Sequence, residues 1–422
     1  MADIRYFIPP EQLEVEALEQ IAHTASVPCV VHVAVMPDAH FGKGSTVGTV
    51  LATRDAVIPA AVGVDIGCGM IAVRTNLNVA DVKAKLPEIR QGIERRIPLG
   101  IGPYGMNEKI SISAASRIKE LEDLASQLFD DSNWMDNRDS KWRNALGSLG
   151  GGNHFIEICI GTSIEDEGST HWYGPEEVWV ILHSGSRGVG NKTGTFWTKR
   201  AQEYAKTHNY FDYLPSPDLA WLSINSACYW NYLSELKWCQ KFAELNRDEM
   251  MDRVLTELSY TLGTKCSADW CGTVFPLDYL KPIEVERINC HHNFTQMENH
   301  HGENLLVTRK GAIEAKEGMR GLIPGSMGAC SYIVTGLGNS GSLNSAPHGA
   351  GRRMSRSKAR KEFTKEGLAA LMQKLGIEAR VREAIVDEHP DSYKDIATVI
   401  DHARELIKPT HILSQLINIK GD

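Results

Sequence analysis

The sequence has no long hydrophobic run and no evident targeting segment. Its longest nearly apolar stretch, VPCVVHVAVM (27–36), is about half the length of a membrane-spanning helix. It contains a histidine, so it favours a buried strand. The first residues, MADIRYFIPPEQ, lack a basic region followed by an apolar one, so we expect no signal peptide. We therefore expect a cytoplasmic protein with no membrane partner.

Excess positive charge and a dense set of cysteines are also missing. The 422 residues include 45 Lys and Arg against 53 Asp and Glu, which gives a formal net charge of −8. The total charge therefore does not indicate a nucleic-acid partner, and any basic surface must be local. The nine cysteines are scattered and odd in number. They favour free thiols in a reducing compartment, including Cys266 and Cys271, which lack the second pair of a zinc ribbon.

The apolar pattern predicts an α+β fold of mixed sheets with surrounding helices. Short strands alternate with Gly-rich loops over 29–75, and strands are predicted again over 283–310 and in the C-terminal LSQLINIK. Helices are predicted near 11–22, 79–97, 115–129 and 355–376, with a mostly helical, insertion-like region at 192–262 and a loop at 130–145. No repeat or linker divides the chain, so we expect a single domain over 1–422.

A Gly-rich turn after a predicted strand contains a possible metal pair. In VDIGCGM, Asp65 and Cys68 are three residues apart, and the glycines allow both side chains to point into one space. A thiolate with a carboxylate suits Zn(II), Mn(II) or Co(II) better than Mg(II) or Ca(II). Taken alone, this motif is better explained as a buried cysteine beside a turn aspartate, because cysteine is commonly buried and aspartate is common in turns.

Histidines at strand ends strengthen the metal interpretation. GGGNHFIEI places His154 at a loop-to-strand junction, and VILHSGSRG places His183 at the end of an apolar strand. The segment NCHHNFTQMENHH supplies His291, His292, His300 and His301. One such histidine is usually structural, but several at strand ends favour a site assembled from loops.

The segment PHGAGRRMSRSKARK (347–361) concentrates positive charge in an acidic chain. His348 lies between small residues, so a bulky phosphate compound can approach it. Six cations follow it: Arg352, Arg353, Arg356, Lys358, Arg360 and Lys361. The ordinary interpretation is a solvated helix face. Together with a glycine-flanked histidine, the run favours nucleophilic or acid/base chemistry on phosphate, with RNA or a nucleotide nearby.

Taken in order, these motifs resemble the RtcB family of RNA-splicing ligases, and the bacterial branch more than archaeal members. The matching segments are PDAHFGKG, IPAAVGVDIGCGM, GGGNHFIEI, LHSGSRGVGN, INCHHN, VTRKGAI, GLIPGSMGA, GLGNSGS, HGAGRRMSR and a terminal IKG. The resemblance runs from about residue 35 to the end and implies an active site in a central cleft lined by Gly-rich loops. Residues 100–145 match poorly, so nothing is transferred to them.

The resemblance implies an enzyme that joins an RNA 2′,3′-cyclic phosphate or 3′-phosphate to a 5′-hydroxyl, using GTP and two Mn(II) ions. Because the ligand set includes a thiolate, we expect the site to accept Zn(II) or Co(II) as well. The resemblance also implies five metal ligands, with Cys68 bridging the two ions: Asp65, Cys68, His154, His183 and His292. His348 corresponds to the histidine that becomes guanylylated. Residues matched around GTP are Asn153, Glu157, Ser326, Gly349, Ala350, Gly351, Tyr393 and Lys420, with Glu157 and Lys420 as guanine readers. Arg187, Arg352 and Arg356 are expected to clamp RNA phosphates.

Two other functions remain open at this point. A metal-dependent RNA phosphoesterase would use the same ligands with water as the nucleophile. A non-enzymatic RNA-binding paralogue is disfavoured, because all ligand positions and His348 are intact. We expect a monomer whose partners are RNA and GTP, with an archease-type activator as a further candidate partner. The sequence does not name the physiological RNA.

Overall fold

A computed structural model describes residues 2–102, 105–129, 134–164, 176–263, 283–300 and 302–421. The strands are β1 (Asp3–Tyr6), β2 (Val30–His40), β3 (Val47–Thr53), β4 (Ala56–Val57), β5 (Gly69–Thr75), β6 (Phe155–Ser163), β7 (Glu177–Ser184), β8 (Leu222–Ser223), β9 (Glu284–His291), β10 (Asn293–His300), β11 (Glu303–Lys310), β12 (Ala312–Glu314), β13 (Arg320–Ile323), β14 (Ser331–Gly336), β15 (Ser345–Pro347), β16 (Glu378–Ala379) and β17 (Ile407–Lys420). The helices are α1 (Val15–Ala25), α2 (Pro59–Val62), α3 (Val79–Lys83), α4 (Leu86–Arg96), α5 (Ile112–Leu128), α6 (Trp134–Arg138), α7 (Trp142–Ala145), α8 (Arg187–Thr207), α9 (Ala227–Leu262), α10 (Arg356–Glu362), α11 (Lys365–Lys374) and α12 (Ile396–His402).

Two sheets form the centre of the molecule, as the predicted α+β class requires. The smaller sheet has the strand order β1-β2-β3-β11-β10. The larger has eight strands in the order β13-β14-β17-β6-β7-β5-β9, with β16 paired to β17 beside that path. Most pairs are antiparallel, and the predicted C-terminal strand is confirmed as β17, which pairs with β6 and β14.

Alternating side chains pack the sheets in layers. Met70 and Ala72 of β5 belong to a buried cluster shared with the smaller sheet, whereas Ile71 and Val73 pack with α4 and α9. This alternation follows from the two-residue period of a strand. The outer face of the smaller sheet packs on α1 through a further buried cluster. The order of layers is therefore helix, sheet, sheet, helix, and the larger sheet is covered on both faces.

Two predictions of secondary structure are wrong. The predicted loop at 130–145 contains the short helices α6 and α7, because Trp134 and Trp142 are buried against Trp238 of α9. The predicted helix at 355–376 is two helices, α10 and α11. Thr364 separates them, and its side chain accepts a hydrogen bond from the Gly367 amide and caps α11. The helical region predicted at 192–262 corresponds to most of α8 and to α9.

The predicted free thiols are confirmed for the seven cysteines that the structure describes. Cys266, Cys271 and His301 lie outside the described residues. Among the helices in the described ranges, none is long and apolar enough to cross a membrane. The single-domain organisation of 1–422 stays a prediction.

Candidate active site

The predicted functional residues meet at one end of the larger sheet. The strand register brings them there: Gly69 of β5 pairs with His291 of β9, and Phe155 of β6 pairs with both His183 of β7 and Lys420 of β17. Loops that enter or leave these strands therefore start from neighbouring points. Residues far apart in sequence share one space for this reason.

The five predicted metal ligands form one cluster. The Sγ of Cys68 lies 3.1 Å from Nε2 of His183 and 3.5 Å from Nε2 of His154. The Nε2 of His154 lies 3.3 Å from Oδ2 of Asp65. The Nε2 of His183 lies 3.2 Å from Nε2 of His292. The ligand atoms of Cys68, His154 and His183 all lie within 4.8 Å of one another, so one ion can contact all three.

Backbone carbonyls orient two of these rings. The Nδ1 of His154 donates to the carbonyl of Leu149 at 3.0 Å, and the Nδ1 of His183 donates to the carbonyl of Asn153 at 3.1 Å. A carbonyl only accepts, so in each neutral ring the Nε2 lone pair points into the cluster. The buried Nδ1 of His292 has no hydrogen-bond partner among the described residues. The histidine rings thus direct more lone pairs than N–H groups into the cluster, and such a set of nitrogen ligands fits a divalent transition metal.

Burial sets the protonation of the cluster. It raises the pKa of the Cys68 thiol well above its usual value, with Asp65 adding to the effect. It lowers the pKa of His183 and His292 well below the usual value, so both rings are neutral at pH 7. Burial alone would raise the pKa of Asp65, but the neighbouring His154, Cys68 and His183 together bring it down to about 2. Metal binding would therefore release the thiol proton.

His348 lies beside this cluster and is held by Asp38 of β2. Its Nδ1 lies 2.6 Å from Oδ2 of Asp38, which also accepts hydrogen bonds from the amides of His348 and Gly349. Because the carboxylate accepts a hydrogen bond from the Nδ1 hydrogen, the Nε2 atom of the neutral ring has a free lone pair. The His348 and His292 ring centroids are 4.8 Å apart. A side chain at Gly351, where φ is +71°, would collide with the Asp38 backbone oxygen, so the loop requires glycine there.

A cavity of about 580 Å³ is lined by residues of the predicted metal-ligand cluster and by His348. Every residue predicted to surround GTP lines it: Asn153, Glu157, Ser326, Gly349, Ala350, Gly351, Tyr393 and Lys420. Burial raises the pKa of Glu157 to about 8, although Lys420 opposes the shift, and Oε1 accepts a hydrogen bond of 2.7 Å from the Asn418 amide nitrogen. The residues predicted to surround GTP thus share a single cleft.

Two carboxylates that the motifs did not identify, those of Asp387 and Glu388, accept hydrogen bonds from side chains that line the cleft near Tyr393 and Lys420. The Oε2 of Glu388 accepts hydrogen bonds from Tyr393 Oη at 2.7 Å and Lys420 Nζ at 2.8 Å. Its Oε1 accepts from Arg352 and Arg356 at 3.3 and 3.1 Å. Burial would raise the pKa of Glu388, but Lys420 and Arg356 bring it down to about 2. The second carboxylate, that of Asp387, accepts hydrogen bonds from Arg356 at 2.8 Å and from Arg360 at 3.1 Å.

Arg352 and Arg356 line the cleft as predicted for RNA contacts, yet both are already paired. Arg356 also donates to Asp387 Oδ2 at 2.8 Å, and Arg352 donates to the Asp387 carbonyl at 2.7 Å. Arg187 does not line the cavity. Its guanidinium donates to Ser148 Oγ at 3.1 Å and to the Gly100 carbonyl at 3.0 Å. The RNA-clamping role of the three arginines stays a prediction.

Sequence reasoning missed Asp38, Asp387 and Glu388 as site residues. Asp38 lies in the quoted motif PDAHFGKG, so the motif itself contained the feature that would have identified it. Asp387 and Glu388 lie in the unremarkable segment VDEHPDS, more than thirty positions after Arg352. Nothing in that spacing indicates the contact.

The chain is similar to known proteins over its whole length. The family model described as tRNA-splicing ligase RtcB matches residues 20–421. A protein of Escherichia coli (strain K12) named RNA-splicing ligase RtcB is 40% identical over 433 residues, covering 100% of this chain and 98% of the relative. A tRNA-splicing ligase RtcB of Methanococcus maripaludis is 31% identical, covering 93% of this chain and 88% of the relative. An RNA-splicing ligase RtcB of Mycobacterium tuberculosis is 29% identical over 95% of this chain and 100% of the relative.

Proposed function

The chain belongs to the RtcB family of tRNA-splicing ligases, and we propose that it joins RNA ends through a covalent guanylyl-histidine. In this proposal it seals an RNA 3′-phosphate or 2′,3′-cyclic phosphate to a 5′-hydroxyl, with GTP as the source of activation. RNA repair and tRNA splicing both require such a reaction. The proposal rests on family membership together with the chemistry of the cleft.

The single observation that carries the mechanism is the placement of His348. Asp38 binds its Nδ1 at 2.6 Å, so the Nε2 lone pair remains available as a nucleophile on the cleft side. A neutral imidazole needs no pKa depression to attack at pH 7, unlike a lysine. The adjacent glycine-rich loop leaves room for a nucleotide phosphate.

The metal cluster supports phosphoryl transfer at the same position. Asp65, Cys68 and the three histidines would hold the divalent ions, which we propose to be Mn(II), with Zn(II) or Co(II) as substitutes. A bound divalent ion would neutralise the charge that develops on the transferred phosphate. His154 and His183 are fixed by backbone carbonyls, so the ligands need little reorganisation.

The part of the cleft lined by Glu157, Glu388, Tyr393 and Lys420 is called the guanine end, and its side chains support selection of GTP. The ammonium of Lys420 has three hydrogens, so it can donate one hydrogen bond to a guanine carbonyl while it keeps its hydrogen bond to Glu388. Glu157 lies nearby, across the β6–β17 pair, where it can accept from the guanine N–H groups when ionised. Both residues line the cleft beside Tyr393.

A 2′,3′-cyclic phosphate end is first opened by water, which breaks the bond between phosphorus and the 2′-oxygen and leaves a 3′-phosphate and a 2′-hydroxyl. From the 3′-phosphate, the proposed reaction has three steps. The Nε2 of His348 attacks the α-phosphorus of GTP, and pyrophosphate leaves. The guanylyl group then passes from His348 to the RNA 3′-phosphate. Finally the 5′-hydroxyl oxygen attacks the activated 3′-phosphorus, and GMP leaves.

The test compares wild-type protein with His348→Ala. Wild type incubated with GTP labelled at the α-phosphate should become labelled, and His348→Ala should not. The variant should still bind metal and should still seal RNA supplied with an activated 3′-guanylyl phosphate. An unlabelled wild type would favour the phosphoesterase and reject the proposal. Loss of metal together with the label would make His348 a ligand instead.

A further inference from the structure

The long helix α9 packs against the turn that carries Cys68. Gly67, which precedes Cys68, lies so close to this helix that an added Cβ would be 2.9 Å from the Cβ of Ala243. Its φ of +70° also favours glycine. One helical turn after Ala243 come Asn246 and Arg247, whose side chains are both completely buried. Neither residue lines the cleft, and neither belongs to the proposed metal or nucleotide site.

The guanidinium of Arg247 contacts residues that adjoin three of the predicted ligands. Its Nη1 donates to the carbonyl of Gly67 at 2.9 Å and to the carbonyl of Ser184 at 3.1 Å. Its Nη2 lies 3.2 Å from Nδ1 of His291. Each of these three residues is next in sequence to a predicted ligand, in the same order: Cys68, His183 and His292. One side chain thus joins three chain segments that would otherwise meet only through the ligands themselves.

Arg247 forms no ion pair with any residue that the structure describes. Its Nε donates to the amide oxygen of Asn289 at 2.7 Å, so this acceptor is neutral, as the two carbonyls are. Arginine stays charged at pH 7, and a buried charge without a counter-ion is costly unless its hydrogen bonds offset the lost hydration. Arg309, which is equally buried, is by contrast paired with Glu298. The hydrogen bonds of Arg247 thus go to the segments that carry the ligands and not to a carboxylate.

Asn246 is linked to a fourth predicted ligand, His154, through a chain of hydrogen bonds. Its Oδ1 accepts from the amide of Gly147 at 2.7 Å, and its Nδ2 donates to Oγ of Ser184 at 3.2 Å. That hydroxyl donates to the carbonyl of Leu149 at 2.7 Å. The same carbonyl accepts the hydrogen bond from Nδ1 of His154 that orients the ring. The direction of the His154 Nε2 lone pair therefore depends on contacts that begin at α9.

We propose that Asn246 and Arg247 are positioning residues for the metal site, with Arg247 acting mainly on Cys68 and Asn246 mainly on His154. Neither residue is a ligand itself. Each holds the backbone or the ring of a ligand in place before a cation arrives, so the cation does not have to order the loops. The inference rests on the proposed function, because it takes Cys68 and His154 as metal ligands.

The test measures Co(II) binding without GTP or RNA, because Co(II) bound to a thiolate gives a charge-transfer absorption that reports directly on Cys68. Wild type is compared with Arg247→Lys, Asn246→Ala and Arg309→Lys, and the melting temperature of each metal-free protein is measured in parallel. Arg247→Lys keeps the positive charge but loses the planar fork of donors. Arg309→Lys is the matched control, because Arg309 is also completely buried but donates to Glu298 and not to the ligand-bearing segments.

Arg247→Lys should weaken Co(II) binding roughly tenfold to a hundredfold and should reduce the charge-transfer absorption per bound ion. Asn246→Ala should weaken binding to a similar extent but should keep the absorption per bound ion, because Arg247 still holds the Cys68 turn. Arg309→Lys should bind Co(II) as wild type does, although its melting temperature falls.

Wild-type Co(II) affinity in Arg247→Lys or in Asn246→Ala would overturn the role of that residue. An equal loss of affinity in Arg309→Lys would overturn both roles, since the effect would then be general destabilisation. If Arg247→Lys does not fold, the affinity of Asn246→Ala decides the proposal. A wild-type protein that shows no thiolate absorption with Co(II) would instead reject the metal-ligand assignment of the proposed function, so the two failures are distinguishable.

Discussion

The predicted metal-ligand cluster and the proposed guanine end of the cleft differ in how far their polar groups have hydrogen-bond partners. At the cluster, neutral histidines and a protonated thiol face one another, with lone pairs in excess and one buried ring nitrogen unpartnered among the described residues. At the proposed guanine end, Glu388 accepts hydrogen bonds from a lysine, a tyrosine and two arginines, so each of these groups has a partner. The first region has unshared lone pairs that a cation could bind. The second is complete by itself.

This difference indicates how each region responds to its ligand. A cation would replace the contacts among the ligand atoms and release the thiol proton, but the carbonyls that orient His154 and His183 would stay in place, so those two rings are preorganised for it. A nucleotide at the guanine end must share or replace hydrogen bonds that already exist. Selectivity at that end therefore depends on how Glu388 holds Tyr393 and Lys420. Its variants are expected to change affinity more than they change chemistry.

The largest effect is expected at the cluster. Cys68→Ala removes the thiol that lies between His154 and His183, so both GTP labelling and RNA joining should be lost, together with bound metal measured by elemental analysis. Cys239→Ala is the matched control, since Cys239 is also a buried free thiol but lies on α9 away from the cleft. Near-normal Mn(II)-dependent joining by Cys68→Ala would show that the thiol is no ligand.

At the guanine end, Glu388→Gln should raise the KM for GTP by roughly tenfold, as expected when charged hydrogen bonds are weakened. Discrimination against ATP should also fall, because Lys420 and Tyr393 lose a shared acceptor. The kcat of labelling should change much less. Glu235→Gln serves as the control, because Glu235 is another buried glutamate paired with an arginine, far from the cleft. A selective loss of kcat would place Glu388 in the chemistry instead.

The sequence predicts the metal-ligand cluster better than the guanine end, because the two regions are built from different types of residue. Cysteine and histidine at strand ends are uncommon enough that Asp65, Cys68, His154 and His183 could be grouped from their motifs alone, and the fold brings them together. Aspartate and glutamate are common everywhere, so Asp387 and Glu388 had no distinguishing feature. Their role depends on a tertiary contact with arginines far away in the sequence.

The secondary structure shows the same limit. The apolar runs in β5 and β17 predict strands, because each strand's burial follows from its own residues. Trp134 and Trp142 lie among polar residues, and only Trp238 on a distant helix explains why their segments are helical. Likewise, the break at Thr364 depends on a capping contact that propensity alone does not reveal.

A smaller effect is expected on the exposed face of α10. Lys358 is exposed and makes no ion pair with a described residue, whereas Arg356 on the same helix is paired with both carboxylates. Lys358→Glu should lower RNA affinity about twofold to fivefold and flatten its salt slope, as expected for a peripheral phosphate contact. Lys374→Glu on α11 is the control, because Lys374 is also exposed but does not lie on α10. An unchanged slope in Lys358→Glu would make this face ordinary solvated surface.

The last prediction is a contrast in stability between two glutamates, Glu157 and Glu388, that line the cleft. The pKa of Glu388 is lowered to about 2, so its stabilising contribution is present above about pH 4.5 and is lost as the pH falls toward 2. The pKa of Glu157 is raised to about 8, mainly by burial, so its contribution has the opposite sign: stability falls as the pH rises from about 4.5 to 8. Each unit of pKa shift corresponds to about 1.4 kcal/mol, so the effects are a few kcal/mol at most.

Denaturant unfolding between pH 3 and pH 9 should therefore separate the two variants. Glu388→Gln should flatten the loss of stability on the acid side, because no carboxylate remains there to be protonated. Glu157→Gln should flatten the decline between about pH 4.5 and 8, because an amide has no proton to lose in that range. If both variants changed the same limb of the curve, the two carboxylates would share one environment. The contrast between a glutamate dominated by burial and a fully paired one would then be wrong.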